Sequence, residues 1–137
     1  LVLSRHADDL TEVSVEGHKA WMTPGGATAA EASGPAEGAY LLPGFDPYVL
    51  APISHRAHTI PQGRVDAVSR AAGWISPVLL VDGRIAGTWE PTTAGDVTSV
   101  TLTPFAPLPA RVVKAVSAHL RDRWASVLGT DVRLEVM

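Results

Sequence analysis

With 137 residues the chain has room for one domain, and a chain of that size buries roughly two-thirds of the surface it exposes when unfolded. Its 46% hydrophobic and 18% charged residues exclude global disorder, and the lack of cysteine excludes disulfides, thiol catalysis and cysteine-ligated metal. A formal net charge of −3 argues against a domain that grips nucleic acid by itself, a task that calls for a basic excess to neutralise phosphates.

The chain opens on "LVLSRHADDL", which lacks the basic start and cleavage pattern of a signal peptide and reads as the tail of an element that begins earlier, so a fragment of a longer protein is expected. No apolar run approaches the ~20 residues that span a bilayer, which predicts a soluble, cytoplasmic protein with no membrane partner. "TEVSVEGHKAWMT" alternates apolar and polar residues on both sides of Glu16, Gly17, His18 and Lys19, the pattern of a hairpin. "PGGATAAEASGPAEGA" holds no stable period, so residues 24–38 are expected to form a flexible loop.

"AYLLPGF" reads as a strand that must bend near Gly44 to Tyr48, because Pro43 and Pro47 have no N–H and restrict the residues before them. From Gln62 to Ala72, Val65, Val68 and Ala72 share one helical face, with Gly73 placed to end the helix. In "PVLLVDGRIAGTWE" two β-rich runs flank Asp82-Gly83, a pair suited to the positive φ angles of a type I′ turn. "DVTSVTLTPF" supplies a further antiparallel strand. Pro109 to Leu128 places Val112, Val113, Val116, Leu120, Trp124 and Val127 on one stripe and stops at Gly129, and "DVRLEV" closes the chain as a strand. The strands come in hairpins instead of alternating with helices. The expected fold class is therefore α+β: a mainly antiparallel sheet, one short helix and one long C-terminal helix packed on it.

Several residues invite chemistry. His55 and His58 form H-x-x-H with Asp46 not far off, but a metal loop needs further ligands, so neither metal nor cofactor is expected. Asp46 has the makings of a general base, yet a carboxylate before a proline more often accepts backbone N–H bonds in a turn. If Asp46 is buried, a cation such as Arg56 or Arg84 has to satisfy it. Ser54, His55 and Asp46 lack a nucleophile elbow, and the glycines make no phosphate loop. Of the four tryptophans, Trp89 and Trp124 are expected in the core and not as base-stacking groups. Nine of the eleven cationic residues are arginine, whose planar fork suits phosphate. The best basic cluster is Arg56, His58, Arg64 and Arg84, weighed against the plain alternative that exposed arginines only solubilise.

Taken in order, "LLPGFDPYVL", "RAHTIP", "GWISPVLLVDGRIAGTWE" and "PFAPLPARV" resemble the C-terminal part of the actinobacterial winged-helix DNA-binding domain-containing proteins. That superfamily includes the AlkZ-like and YcaQ-like DNA glycosylases, which unhook bulky or crosslinking alkyl adducts. The resemblance runs in the same order from "DDLTEVSVEGHKAW" to "DVRLEV". It implies that residues 1–137 are a single C-terminal domain packing against winged-helix domains of the same chain and helping to hold duplex DNA. Those glycosylases are understood to act through a Gln-containing motif near the N-terminal winged helix. This chain has one glutamine, Gln62, so the resemblance implies a non-catalytic module, with any glycosylase centre upstream. The cluster Arg56, His58, Arg64 and Arg84 then serves phosphates, which position a duplex without reading its sequence. Two rival readings stand beside this one: an interaction domain whose apolar face covers a neighbouring domain without touching DNA, and a small-molecule pocket around Asp46, Tyr48 and Trp74.

Overall fold

The computed structural model describes residues 7–15, 17–50 and 58–137. The chain divides into two compact units, Leu1–Pro35 and Ala36–Met137. Among the described residues no helix is long and apolar enough to cross a membrane.

In the first unit a 3-10 turn (Ala7–Asp9) leads into strands β1 (Thr11–Val15) and β2 (His18–Met22). They pair antiparallel with Val15 opposite His18, so the turn is shorter than expected and His18 and Lys19 already belong to β2. Val13 and its partner Ala20 are half-buried on one side, while Lys19 Nζ lies 4.8 Å from the centroid of the exposed Trp21 ring. The flexible loop expected over 24–38 gives way to a helix, α1 (Pro24–Ala32). Thr23 caps it: its Oγ1 accepts the Gly26 N–H at 3.2 Å, and Pro24 in the first turn is preset for helix. These two contributions, with the alanines that follow, outweigh the cost of Gly25 and Gly26. Ser33 ends the helix by donating its hydroxyl to the Ala29 and Ala30 carbonyls.

The second unit is built on a five-stranded sheet in the order β3 (Ala39–Leu42), β4 (Val78–Val81), β5 (Arg84–Ala94), β6 (Val97–Pro104) and β7 (Asp131–Val136). Neighbours are antiparallel except β6 and β7, which are parallel. A parallel pair needs a crossover connection, and the long helix between these strands provides it. The architecture is α+β with two mostly antiparallel sheets, as the hairpin pattern predicts.

Each face of the larger sheet has its own cover. One carries Leu79, Trp89, Val100, Leu102 and Val132 against Val112, Val116 and Leu120 of the helix. On the other, Val78 and Ile85 meet Val49, Ile60, Val68 and Ile75 from the connecting segments. The two faces are kept in register by a β-bulge. Leu79 pairs with Gly87 and Leu80 with Ile85, so Ala86 is an extra residue. Without it the period of two would send Ile85 and Trp89 to the same face. Gly87 allows the close approach of β6: a Cβ there would lie 2.7 Å from the Thr103 carbonyl oxygen and 2.8 Å from Pro104 Cα. Trp89 is buried, as expected. Its indole N–H donates to the Leu42 carbonyl at 2.9 Å, and its ring meets half-buried Trp124 edge-to-face at 5.3 Å.

The helix expected over Gln62 to Ala72 is a single turn, α2 (Val65–Val68). Ser69 leaves helical geometry at φ −107, ψ 93 and bridges to Ile75, and Ala72 has a positive φ of 58°. Burying Val68 and Ile75 together outweighs the longer helical stripe. The C-terminal helix runs through α3 (Ala110–His119), a π segment (Leu120–Trp124) and α4 (Ala125–Leu128), and Gly129 at φ 65° ends it. The wider π turn shifts the contact from Leu120 to Trp124 and Ala125, both packed on the core. Val127, expected on the buried stripe, is instead 82% exposed.

Candidate functional site

Strand pairing brings Asp82 and Gly83 to the tip of the β4–β5 hairpin, with Val81 opposite Arg84. Their φ angles of 49° and 79° fit the type I′ turn that the Asp-Gly pair predicts. The tip is fastened from several sides. Asp82 and Gly38 exchange bonds: the Asp82 N–H donates to the Gly38 carbonyl at 2.9 Å, and the Gly38 N–H donates to Asp82 Oδ1 at 3.0 Å. Arg111, in the first turn of α3, donates from Nη2 to Asp82 Oδ2 at 2.6 Å. The Tyr48 hydroxyl donates to the Gly83 carbonyl at 2.6 Å. The Arg111 guanidinium, followed by the Gly38 N–H, holds the Asp82 carboxyl below its usual range, and Asp82 in turn raises Arg111. Arg84 follows the turn directly and is exposed.

Arg64 is held by a different device. Its Nη2 donates to the Phe105 carbonyl at 3.2 Å, and its guanidinium carbon sits 5.1 Å from the centroid of the Phe105 ring. It stands on a cleft of about 360 Å³ whose walls include Pro61, Gln62, Ile85 and Pro107. The side chain is thus pre-positioned while the residue stays exposed.

Asp46 takes the structural role expected of a carboxylate before proline. Its Oδ1 accepts the Tyr48 N–H at 2.9 Å, and its carbonyl accepts the N–H groups of Val49 and Leu50 at 2.9 and 3.0 Å. Just before it, Phe45 has a φ of 61°, a conformation that bulky residues rarely adopt. Its ring meets Trp74 edge-to-face at 5.2 Å.

Of the expected basic cluster, Arg64 and Arg84 are exposed and on separately braced supports, and His58 is half-buried. Arg56, with Ser54 and His55, lies outside the described residues. Among the described residues no three His, Asp or Glu side chains come close enough to hold a metal ion. Sequence reasoning missed Arg111 as the partner of Asp82, Phe105 as the seat of Arg64, and the Phe45–Trp74 contact. The Asp-Gly signal marks the turn, but nothing local points to partners 29 and 44 residues away in sequence.

Comparison with known proteins places this architecture among proteins of DNA repair. The model of the family "DNA glycosylase AlkZ-like" matches residues 1–125, and the chain belongs to that family. It is similar to the interstrand DNA cross-link repair glycosylase of Streptomyces sahachiroi, with 41% identity over 130 residues, covering 93% of this chain and 34% of that protein. The solved structure of the Streptomyces sahachiroi DNA glycosylase AlkZ superposes with a TM-score of 0.69 at 36% identity, over 98% of this chain and 35% of that one. The chain therefore spans about a third of the length of the relative it matches.

Proposed function

We propose that the chain is a non-catalytic C-terminal module of an AlkZ-like DNA glycosylase, packing against winged-helix domains of the same polypeptide and holding duplex DNA through its phosphates. Membership of a DNA glycosylase family is the observation that carries this reading. Two features support the DNA contact: Arg64 seated on Phe105, and Arg84 beside a turn that Gly38, Tyr48 and Arg111 brace. A guanidinium already held, as that of Arg64 is, loses less side-chain entropy when it meets a phosphate, while the braced turn fixes only the backbone from which Arg84 starts. Arg56 and His58 complete the proposed contact set. Support for a non-catalytic role comes from the lone glutamine, Gln62: the resemblance implies a reaction centre built on a Gln-containing motif, and a Gln-x-Gln pair cannot be formed by this chain.

With a net charge of −3 the affinity should be weak, indifferent to sequence and steeply salt-dependent. The test is a titration of a labelled duplex over a range of salt with the chain and with Arg64→Ala and Arg84→Ala. Each variant should bind more weakly and reduce the slope of log K against log salt by about 1. Unchanged slopes, or no duplex affinity at low salt, would remove the phosphate role, and base excision by this chain alone would remove the non-catalytic one.

One observation favours a second reading, a domain that covers a neighbour without touching DNA. Val127 and Leu128 are exposed at the end of the long helix, beside a cleft of about 460 Å³ that Trp124, His119 and Arg123 also line. Self-association that Val127→Lys abolishes and salt leaves unchanged would favour it over the DNA reading.

A further inference from the structure

Two loops of the second unit carry strained backbone, and both present aromatic rings to solvent. Phe45 at φ 61° is 46% exposed; Trp74, which follows Ala72 at φ 58° and Gly73 at φ 76°, is 49% exposed. An L-residue held at positive φ is disfavoured and persists only where the surroundings impose it. Here they do so through backbone. A Cβ on Gly44 would lie 3.0 Å from the Ile75 carbonyl oxygen, so the two loops touch main chain to main chain. The Arg70 N–H donates to the Trp74 carbonyl at 2.8 Å, and the Asx turn at Asp46 fixes the step from Phe45 to Tyr48. The cost is spent on holding two apolar rings outside the core.

Two of the exposed rings touch, a third springs from the same bend, and an arginine follows from the backbone on either side. Phe45 and Trp74 meet at an interplanar angle of 83°, and an edge-to-face contact covers at most one of the ring faces involved. Tyr48, 40% exposed, reaches from the same bend to Gly83, the residue before Arg84. At the far end, Arg70 starts from the backbone that pairs with Trp74. Its ion pair with Glu90 is long, 3.9 Å between two largely exposed side chains, and so is readily exchanged for a phosphate. One oxygen of the Asp46 carboxylate, Oδ1, is held in the turn by the Tyr48 N–H. Aromatic faces between flanking arginines are what unpaired nucleic acid recognises, because every base has a π-face and every linkage a charge.

We propose that Trp74, Phe45 and Tyr48, flanked by Arg70 and Arg84, form a stacking strip for the unpaired nucleobases of single-stranded or locally opened DNA. The proposal deepens the DNA-binding reading and rests on it for the identity of the polymer, but it asks for a different ligand state from the duplex contacts of Arg64. Phe45→Gly is the discriminating variant. It deletes the ring and also relieves the positive φ, which offsets part of the lost Phe45–Trp74 contact, and an unchanged circular dichroism spectrum checks that the fold is retained.

The test compares a short labelled oligothymidylate with a duplex of equal length at low salt, using the chain, Phe45→Gly, Trp74→Ala and Trp74→Phe. Oligothymidylate binding should weaken by about 5- to 100-fold in Phe45→Gly and Trp74→Ala, recover in part in Trp74→Phe, and leave duplex binding within about twofold. Single-strand affinity that both ring deletions leave unchanged overturns the strip. So does a wild-type chain that binds duplex but not oligothymidylate, which leaves the duplex reading standing, whereas loss of both ligands sinks the two together. Self-association of the chain that Phe45→Gly abolishes, with no change in oligothymidylate binding, assigns the rings to a protein interface and also overturns the proposal.

Discussion

A single carboxylate ties together elements that lie far apart in sequence. Asp82 sits in a turn it is well suited to form, and the same side chain receives the Gly38 N–H before β3 and the Arg111 guanidinium at the start of α3. Its folded-state pKa is lowered, so its contribution is present above the ordinary carboxyl value of 3.8 and is lost as pH falls below it. Asp82→Asn keeps an acceptor for Gly38 but removes the charge. The variant should be less stable than the parent at neutral pH, and the gap should close as pH drops below the ordinary carboxyl value. Urea midpoints across that range check this, and a gap independent of pH would show that the ion pair is not its source.

Among the elements, the C-terminal helix shows how one irregular turn redistributes burial. A uniform period of 3.6 residues puts Val127 on the same stripe as Leu120. The π segment Leu120–Trp124 inserts a wider turn, so Trp124 and Ala125 take the core contact and Val127 faces solvent. Leu120→Ala should therefore cost about 2–5 kcal/mol, whereas Val127→Ala should stay within about 0.5 kcal/mol. Chemical denaturation of the two variants measures the difference, and comparable costs would mean that the helix keeps its α phase. The one-turn α2 and the capped α1 make a related point. In the first, pairing of Ser69 with Ile75 overrides a helical stripe; in the second, a cap and a proline override a glycine-rich composition.

At the scale of the whole molecule, both extensive buried clusters lie within Ala36–Met137. A chain trimmed to residues 36–137 should therefore unfold cooperatively by itself, as followed by circular dichroism on heating, and a gradual transition would show that Leu1–Pro35 is needed for its core. The charge belongs to this scale as well. A net −3 leaves any hold on DNA to local clusters and not to a long-range field, which is why the function proposed above rests on individual arginines.

The short-range pattern was enough for the hairpins, the Asp82-Gly83 turn, the extent of the long helix and the bend at Asp46, because each depends on φ preferences, periodicity and capping among neighbours in the chain. The quoted motifs were also enough for the glycosylase resemblance. Tertiary packing alone decided the bulge at Ala86, the exposure of Val127, the seat of Arg64 on Phe105, and the pairing of Phe45 with Trp74. These depend on contacts between residues tens of positions apart, whose energies outweigh local preference only once the sheet has brought them together.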